Sequence, residues 1–158
     1  MIKFIIKSLC IQDVLALLEG KISLSQIDCA EYLLPHIVLQ AALDALGRGT
    51  DWFWCAPRLF IDAITGQTLG TASFLTTNDP SVLEIGYGTA TEFQGMGIAS
   101  RGLALMLAEA QAHNSTMRYM SKTATNNRAS QRVLEKNGFT PYAKTIDAED
   151  GELVLWSR

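Results

Sequence analysis

Two glycines in a short loop carry the clearest chemistry in the sequence. The segment EFQGMGIAS, residues 92–100, places Gly95 and Gly97 between a polar approach and an apolar segment with helical spacing. Amides at a helix N-terminus have no partner within the helix, and the helix dipole favours an anion there. Because glycine admits positive φ and close approach of a ligand, the loop is predicted to bind phosphate. A plain tight turn between a strand and a helix is the alternative.

Two common nucleotide-binding motifs do not fit this loop. A dinucleotide-binding loop needs GxGxxG and an acidic residue about twenty positions later. Here Ser100 stands in place of the third glycine, and no Asp or Glu occurs between Glu109 and Glu135. The only Gly-Lys pair, Gly20-Lys21, lacks the rest of a Walker loop. Both motifs are therefore excluded.

The composition is that of a globular chain. It has 158 residues, 48% of them hydrophobic, which suits one core in a single domain spanning residues 1–158. No apolar run is long enough to cross a bilayer, and the N-terminal patch lacks a secretory cleavage site. We therefore expect a cytoplasmic protein with no membrane partner. The net charge of −3 argues against a nucleic-acid partner. The three scattered cysteines and two histidines indicate neither a disulfide framework nor a metal site.

The hydrophobic pattern predicts an α+β fold, or an α/β sandwich, with helices on the faces of a mixed sheet. A first strand at 2–6 precedes helices at 11–18 and 27–46, the second of which Pro35 is expected to break or kink. Further strands are predicted at 52–61, 68–75, 82–89, 117–121, 139–146 and 153–156. Further helices are predicted at 98–112 and 127–136.

Three segments, in order and at suitable spacing, resemble one enzyme family. QGMGIA, residues 94–99, resembles the Q/R-x-x-G-x-G/A motif of the GCN5-related N-acetyltransferases, whose loop wraps the pyrophosphate of acetyl-coenzyme A. EIGYGT (84–89) and NNRASQRVLEKNGF (126–139) resemble the subgroup of ribosomal-protein N-terminal acetyltransferases and similar small-molecule acetylators. The resemblance covers about residues 54–156. It implies a mixed, mostly antiparallel sheet of six or seven strands with helices on both faces.

The resemblance also implies which residues surround acetyl-coenzyme A, the expected cosubstrate. The end of the strand at 82–89 would pair its backbone with the pantetheine arm and turn an N–H toward the thioester oxygen. Asn127 and Ser130 lie one turn apart and share a helix face. By the same resemblance, Asn127 would contact the pantetheine or cysteamine end and Ser130 would lie near the sulfur. Thr125 or Asn126 is expected to cap that helix. The implied cofactor-binding residues are Tyr87, Gly88, Thr89, Gln94, Gly95, Met96, Gly97, Ile98, Ala99, Ser100, Asn127 and Ser130.

Ser130 is also the candidate donor of a proton or a hydrogen bond to the leaving thiolate. Many relatives have a tyrosine four positions later, but this chain has Leu134 there. A tyrosine acid at that position is therefore excluded. An ordinary helix serine is the alternative for Ser130.

Glu84 is the candidate base that would accept the proton of the amine, directly or through water. If the strand alternates without a bulge, Glu84 shares a face with Gly86 and Gly88. Three alternatives stay open: a structural ion pair of Glu84, a base at Glu92 or Glu149, and catalysis by proximity with no dedicated base.

The resemblance thus implies direct transfer of an acetyl group to a primary amine. The acceptor is a small molecule (an antibiotic, a polyamine or an amino acid) or a peptide N-terminus, and a degenerate acyl-coenzyme A-binding module is the rival function. The first two helices and the hairpin at 147–151 are expected to form the acceptor site. Arg101, Arg128 and Arg132 are candidates for contacts with phosphate, although Arg101-Gly102 stands where relatives often have Glu-Ala. The oligomeric state stays open, a homodimer included.

Overall fold

A computed structural model describes residues 1–158 as a seven-stranded sheet with helices on both faces. The strands are β1 (Phe4–Ser8), β2 (Arg58–Asp62), β3 (Thr68–Thr76), β4 (Val82–Thr89), β5 (Arg118–Ala124), β6 (Thr140–Asp147) and β7 (Gly151–Ser157). The helices are α1 (Ile11–Leu18), α2 (His36–Gly47), α3 (Trp52–Cys55), α4 (Ile98–His113) and α5 (Arg128–Lys136). Short 3₁₀ turns lie at Leu24–Ile27, Glu31–Leu33 and Thr91–Phe93.

The sheet is mixed, with one parallel contact at its centre. Its order is β1-β2-β3-β4-β5-β7-β6, and every neighbouring pair is antiparallel except β4 and β5. The α+β sandwich with six or seven mostly antiparallel strands is thereby confirmed. None of the helices is long and apolar enough to cross a membrane.

The predicted helix at 27–46 is wrong in its first part. Two 3₁₀ turns and a loop occupy the segment before Pro35, and α2 begins at His36 with Pro35 as its N-cap. Proline disfavours helical geometry in the residue before it, and Leu34 accordingly has φ −142° and ψ 68°. Pro35 therefore caps the start of α2, whereas the periodicity predicted a single helix at 27–46 that Pro35 would break or kink.

The predicted strand at 52–61 is wrong at its start. Trp52–Cys55 is the helical turn α3, because the carboxylate of Asp51 accepts a hydrogen bond of 2.8 Å from the N–H of Phe53 and caps the turn. The strand itself begins at Arg58, after Pro57. Aromatic content predicted a strand, and local capping produced a helix instead.

Hydrophobic residues cover both faces of the sheet, and β2 shows the alternation. Phe60 is fully buried in a core that includes Leu103 of α4 and Leu134 of α5. Leu59, its neighbour, lies in the core on the other face, with Val14 of α1 and Leu39 of α2. At β2 the core therefore fills both faces of the sheet, whereas every residue of the edge strand β6 is exposed.

One glycine fixes how closely α4 approaches the sheet. A Cβ atom at Gly102 would lie 2.4 Å from the ring of Phe60, so only glycine fits at this position. This contact accounts for glycine in the Arg101-Gly102 pair.

We expect Gly102→Ala to lower the free energy of unfolding by about 1–3 kcal/mol, because overpacking outweighs the better helix propensity of alanine. Gly47→Ala in α2 is the control, since a Cβ atom there meets nothing within 4 Å. Urea unfolding should show Gly47→Ala unchanged or slightly stabilised. Equal stability of the two variants would contradict the packing argument.

Candidate active site

The central feature of the site is a fork between β4 and β5. The two strands pair only from Val82 and Arg118 to Glu84 and Met120. Beyond that point β4 continues to Thr89 along β3, while β5 turns to β7. At the branch point, the buried hydroxyl of Ser121 donates a 2.8 Å hydrogen bond to the carbonyl of Ile85. The fork leaves one backbone edge of β4 without a partner strand.

The loop that follows β4 presents a run of free amides. None of the backbone N–H groups from Gly95 to Ser100 donates to another backbone group, and the first such bond is from Arg101 to the carbonyl of Gly97. Both glycines use the positive φ that glycine permits, 77° at Gly95 and 75° at Gly97. Ile98 is buried in the core and anchors the helix, so only its backbone faces the loop. Amides in this arrangement, at the N-terminus of a helix, suit an anion.

The N-terminus of α5 is capped by a residue that the sequence placed inside the helix. The side-chain oxygen of Asn127 accepts a 3.1 Å hydrogen bond from the N–H of Ser130, so Asn127 is the N-cap. The prediction of Thr125 or Asn126 as the cap is wrong. Asn127 is exposed, and its side-chain NH₂ remains available to a ligand.

Ser130 meets a partner from the fork. Its hydroxyl lies 2.7 Å from the phenol oxygen of Tyr87, which also lies 3.0 Å from the Ser130 carbonyl. Burial raises the pKa of Tyr87 to about 12, and the hydrogen bond with Ser130 offsets part of that rise. The phenol is consequently a neutral hydrogen-bond donor at physiological pH. Sequence reasoning missed this contact between side chains 43 positions apart.

Glu84 lies at the branch point and pairs with a lysine. Its carboxylate is 3.3 Å from the ammonium of Lys122 on β5, and 25% of its side chain is exposed. The register of β3 and β4 is unbroken, so Glu84, Gly86 and Gly88 share a face as expected. The carboxylate can therefore serve as a structural ion pair or as a group that accepts a proton.

The three arginines differ in what they contact. Arg101 donates a 2.9 Å hydrogen bond to the carbonyl of Ile2 and lies over the ring of Phe4, so it contacts the N-terminal segment. Its Nε also borders the loop, 4.0 Å from the position that a Cβ atom of Gly97 would take. Arg128 donates to the side chain of Gln131. Arg132 is exposed on α5.

The 3₁₀ turn Glu31–Leu33 covers the Gly88 end of the β4 face that Glu84, Gly86 and Gly88 share, and leaves the space beside Gly86 open. A Cβ atom at Gly88 would lie 3.4 Å from Leu33, whose carbonyl accepts a hydrogen bond from Thr71 on β3. The phenol of Tyr32 accepts a 2.9 Å hydrogen bond from the N–H of Thr91. This turn, rather than the two flanking helices alone, therefore borders the fork. No local pattern in the sequence marked it.

The acidic hairpin between β6 and β7 has a structural use for one of its carboxylates. The side chain of Asp147 accepts hydrogen bonds of 3.0 Å from the N–H of Asp150 and 2.8 Å from that of Glu149. These bonds hold the pKa of Asp147 below its usual value. Asp147 thus shapes the turn.

Comparison with known proteins places this geometry in a family. A sequence model described as the acetyltransferase (GNAT) domain matches residues 13–140. The chain belongs to the GNAT acetyltransferase family. The fork and the loop at residues 95–100 therefore lie in an acetyltransferase domain. No curated protein sequence matches this GNAT chain.

Solved structures share the GNAT fold with this chain over almost its whole length. The ribosomal-protein-S5-alanine acetyltransferase of Vibrio fischeri is 15% identical, with a TM-score of 0.70 over 98% of this chain and 92% of that one. RimL, the ribosomal L7/L12 α-N-protein acetyltransferase in complex with coenzyme A, is 21% identical, with a TM-score of 0.65 over 97% and 92%. A spermidine N-acetyltransferase chimera from Vibrio cholerae and hSSAT is 13% identical, with a TM-score of 0.67 over 98% and 93%. Ribosomal-protein acetyltransferases are thus among the similar structures, as the motifs indicated.

The groups around the fork suit the binding of an extended ligand that carries a pyrophosphate. Free amides at a helix N-terminus suit a pyrophosphate, and an unpaired strand edge suits an extended amide-containing chain. The carboxylate of Glu84 lies at the branch point of the fork, and the hydroxyl pair of Tyr87 and Ser130 lies beyond it. No group of three or more His, Cys, Asp or Glu side chains is arranged to hold a metal ion.

Proposed function

We propose that this protein transfers the acetyl group of acetyl-coenzyme A to a primary amine by direct attack on the thioester. The observation that carries the proposal is the fork between β4 and β5, which leads into the loop of free amides at 95–100. The loop would hold the pyrophosphate, and the free edge of β4 at Tyr87, Gly88 and Thr89 would pair with the pantetheine arm. A thioester held in this way would be fixed beside the amine, so proximity would contribute to catalysis.

The remaining cofactor contacts follow from the placement of each residue. Gly95, Met96 and Gly97 are exposed, and Ala99 and Ser100 are half-buried, so their backbone amides can face an anion. The N–H of Gln94 lies 3.4 Å from the carbonyl of Thr91, so Gln94 would contact the cofactor through its exposed side chain. Asn127 would use its free side-chain NH₂, and Ser130 its hydroxyl, toward the cysteamine end. The RimL structure was solved in complex with coenzyme A, which supports coenzyme A as a ligand of this fold.

The acceptor is proposed to reach the thioester from the Gly86 and Gly88 face of β4. The turn Glu31–Leu33 and the hairpin 147–151 would then select among amines. The related structures include a protein acetyltransferase and a polyamine acetyltransferase, so both acceptor classes belong in a test.

The function is tested by measuring thiol release from acetyl-coenzyme A over a panel of amines. The panel should contain short peptides with free N-termini, spermidine, an aminoglycoside and free amino acids, and each product should be confirmed by mass spectrometry. Acetylation of one amine above the rate of thioester hydrolysis supports the proposal. Tight binding of coenzyme A with no acetylated product would indicate a degenerate binding module instead.

Glu84 is proposed as the proton acceptor for the amine, directly or through water. The carboxylate of Glu84 is already engaged by the ammonium of Lys122, and a free amine can also arrive neutral, so transfer does not depend on Glu84 alone. We therefore expect Glu84→Gln to lower kcat/KM for the amine about tenfold, less than the loss of a well-tuned base. Lys122→Met, which removes the ion pair and keeps the carboxylate, should retain activity. Equal losses in the two variants would show that the ion pair acts structurally.

A further inference from the structure

We propose that the phenol of Tyr87 is a positioning residue that aims the hydroxyl of Ser130 at the sulfur of the leaving coenzyme A. The inference rests on the proposed function. There, only the backbone of Tyr87 contacts the cofactor; here its side chain has a role as well. The inference is carried by the 2.7 Å contact between the two hydroxyl oxygens beside the fork.

The contact has two hydrogen-bonding arrangements. In the first, Tyr87 donates to the carbonyl of Ser130, 3.0 Å away, and Ser130 donates its own proton to the phenol oxygen. In the second, Tyr87 donates to the serine oxygen, and the proton of Ser130 is free to point away from Tyr87. A hydroxyl has one donor and two acceptor sites, so both arrangements satisfy its chemistry.

A thiolate in the fork would favour the second arrangement. Its negative charge attracts the proton of Ser130, and the serine oxygen then accepts from Tyr87 in a chain of two hydrogen bonds. Such chains strengthen each member, and a donor to a charged acceptor forms a stronger bond than a neutral pair. No proton has to be transferred within the pair, since the released thiolate can be protonated by solvent.

The position of Tyr87 makes this role specific. Tyr87 lies on the part of β4 beyond the last pairing with β5, and its ring packs against the main core. It stands opposite Ala72 on β3, and its phenol reaches α5. The ring is thus held by the core while its hydroxyl faces the helix that carries Ser130.

The test measures the thiol pKa of bound coenzyme A, followed by the ultraviolet absorbance of the thiolate during a pH titration. Subtracting a titration with desulfo-coenzyme A removes the absorbance of protein tyrosines. We expect Ser130→Ala to raise the thiol pKa by about one unit and Tyr87→Phe to raise it by about half a unit. The double variant should match Ser130→Ala, because Tyr87 acts through Ser130.

Steady-state kinetics with the best amine gives a second readout. Tyr87→Phe should lower kcat about three- to tenfold and leave the KM for acetyl-coenzyme A unchanged. Tyr119→Phe is the matched control, since it removes a buried phenol hydroxyl that has no hydrogen-bond partner and lies on β5 in the paired part of the sheet. It should leave both the thiol pKa and kcat unchanged.

The outcomes separate this inference from the proposed function. An unchanged thiol pKa in Tyr87→Phe, or a double variant that shifts by the sum of the single shifts, would overturn the role of Tyr87. If the thiol pKa shifts as expected in the variants but no amine is acetylated, the transfer reaction is overturned. The hydroxyl pair would then stand as a thiolate-binding element. Failure of the wild-type protein to bind coenzyme A at all would overturn both.

Discussion

Replacing Gly95 with aspartate is expected to weaken the binding of coenzyme A by about 30- to 1,000-fold. Two unit charges about 4 Å apart repel by about 4 kcal/mol near a protein surface, and a carboxylate in the loop would face the pyrophosphate directly. A loss of about 2–4 kcal/mol corresponds to this range of affinity. Isothermal titration with coenzyme A measures the effect, which should shrink as the salt concentration rises.

Two further variants isolate the charge in this experiment. Gly66→Asp is matched to Gly95→Asp, because both glycines have φ 77° and a Cβ atom at either meets nothing within 4 Å. Gly66 lies in the turn between β2 and β3, so its aspartate should leave affinity unchanged. Gly95→Asn adds a side chain of the same shape without the charge, and should cost less than Gly95→Asp. Binding of wild-type strength in Gly95→Asp would exclude the loop as the phosphate site.

The loop could be predicted because its features are local. Two glycines ahead of a helical repeat are visible in the sequence, and the structure shows both at positive φ with the helix beginning at Ile98. The strand and helix order was predicted for the same reason, since burial on one face imposes the period of each element. The errors before Pro35 and at Trp52 came from residues whose local rules override the hydrophobic period.

The contacts that complete the site could not be predicted from local patterns. Tyr87 meets Ser130, Ser121 meets Ile85, and Leu33 meets the Gly88 strand only after the sheet and its covering helices have assembled. Each pair joins residues far apart in sequence, and no local pattern shows that the two residues of a pair will be in contact. The resemblance supplied candidates on α5 and β4, but their mutual geometry is a property of the tertiary structure.

Replacing Ser130 with alanine is expected to lower kcat by about 10- to 150-fold. A hydrogen bond to a charged group contributes about 1.5–3 kcal/mol, and the serine would make that bond as negative charge develops on the leaving sulfur. Because the ground-state thioester carries no such charge, the Kd for acetyl-coenzyme A should stay within about twofold of wild type. Thiol release at saturating amine gives kcat, and equilibrium titration gives the affinity.

The matched variant keeps a hydroxyl at the same place on α5. Ser130→Thr should retain more of kcat than Ser130→Ala, because a threonine hydroxyl can still accept from Tyr87 and donate toward the fork. Helix stability is not the cause of a loss in Ser130→Ala, since alanine has the better helix propensity and the cap uses the backbone N–H of this residue. If alanine instead weakens cofactor binding in proportion to kcat, Ser130 binds the ground state, and leaving-group stabilisation must come from another donor.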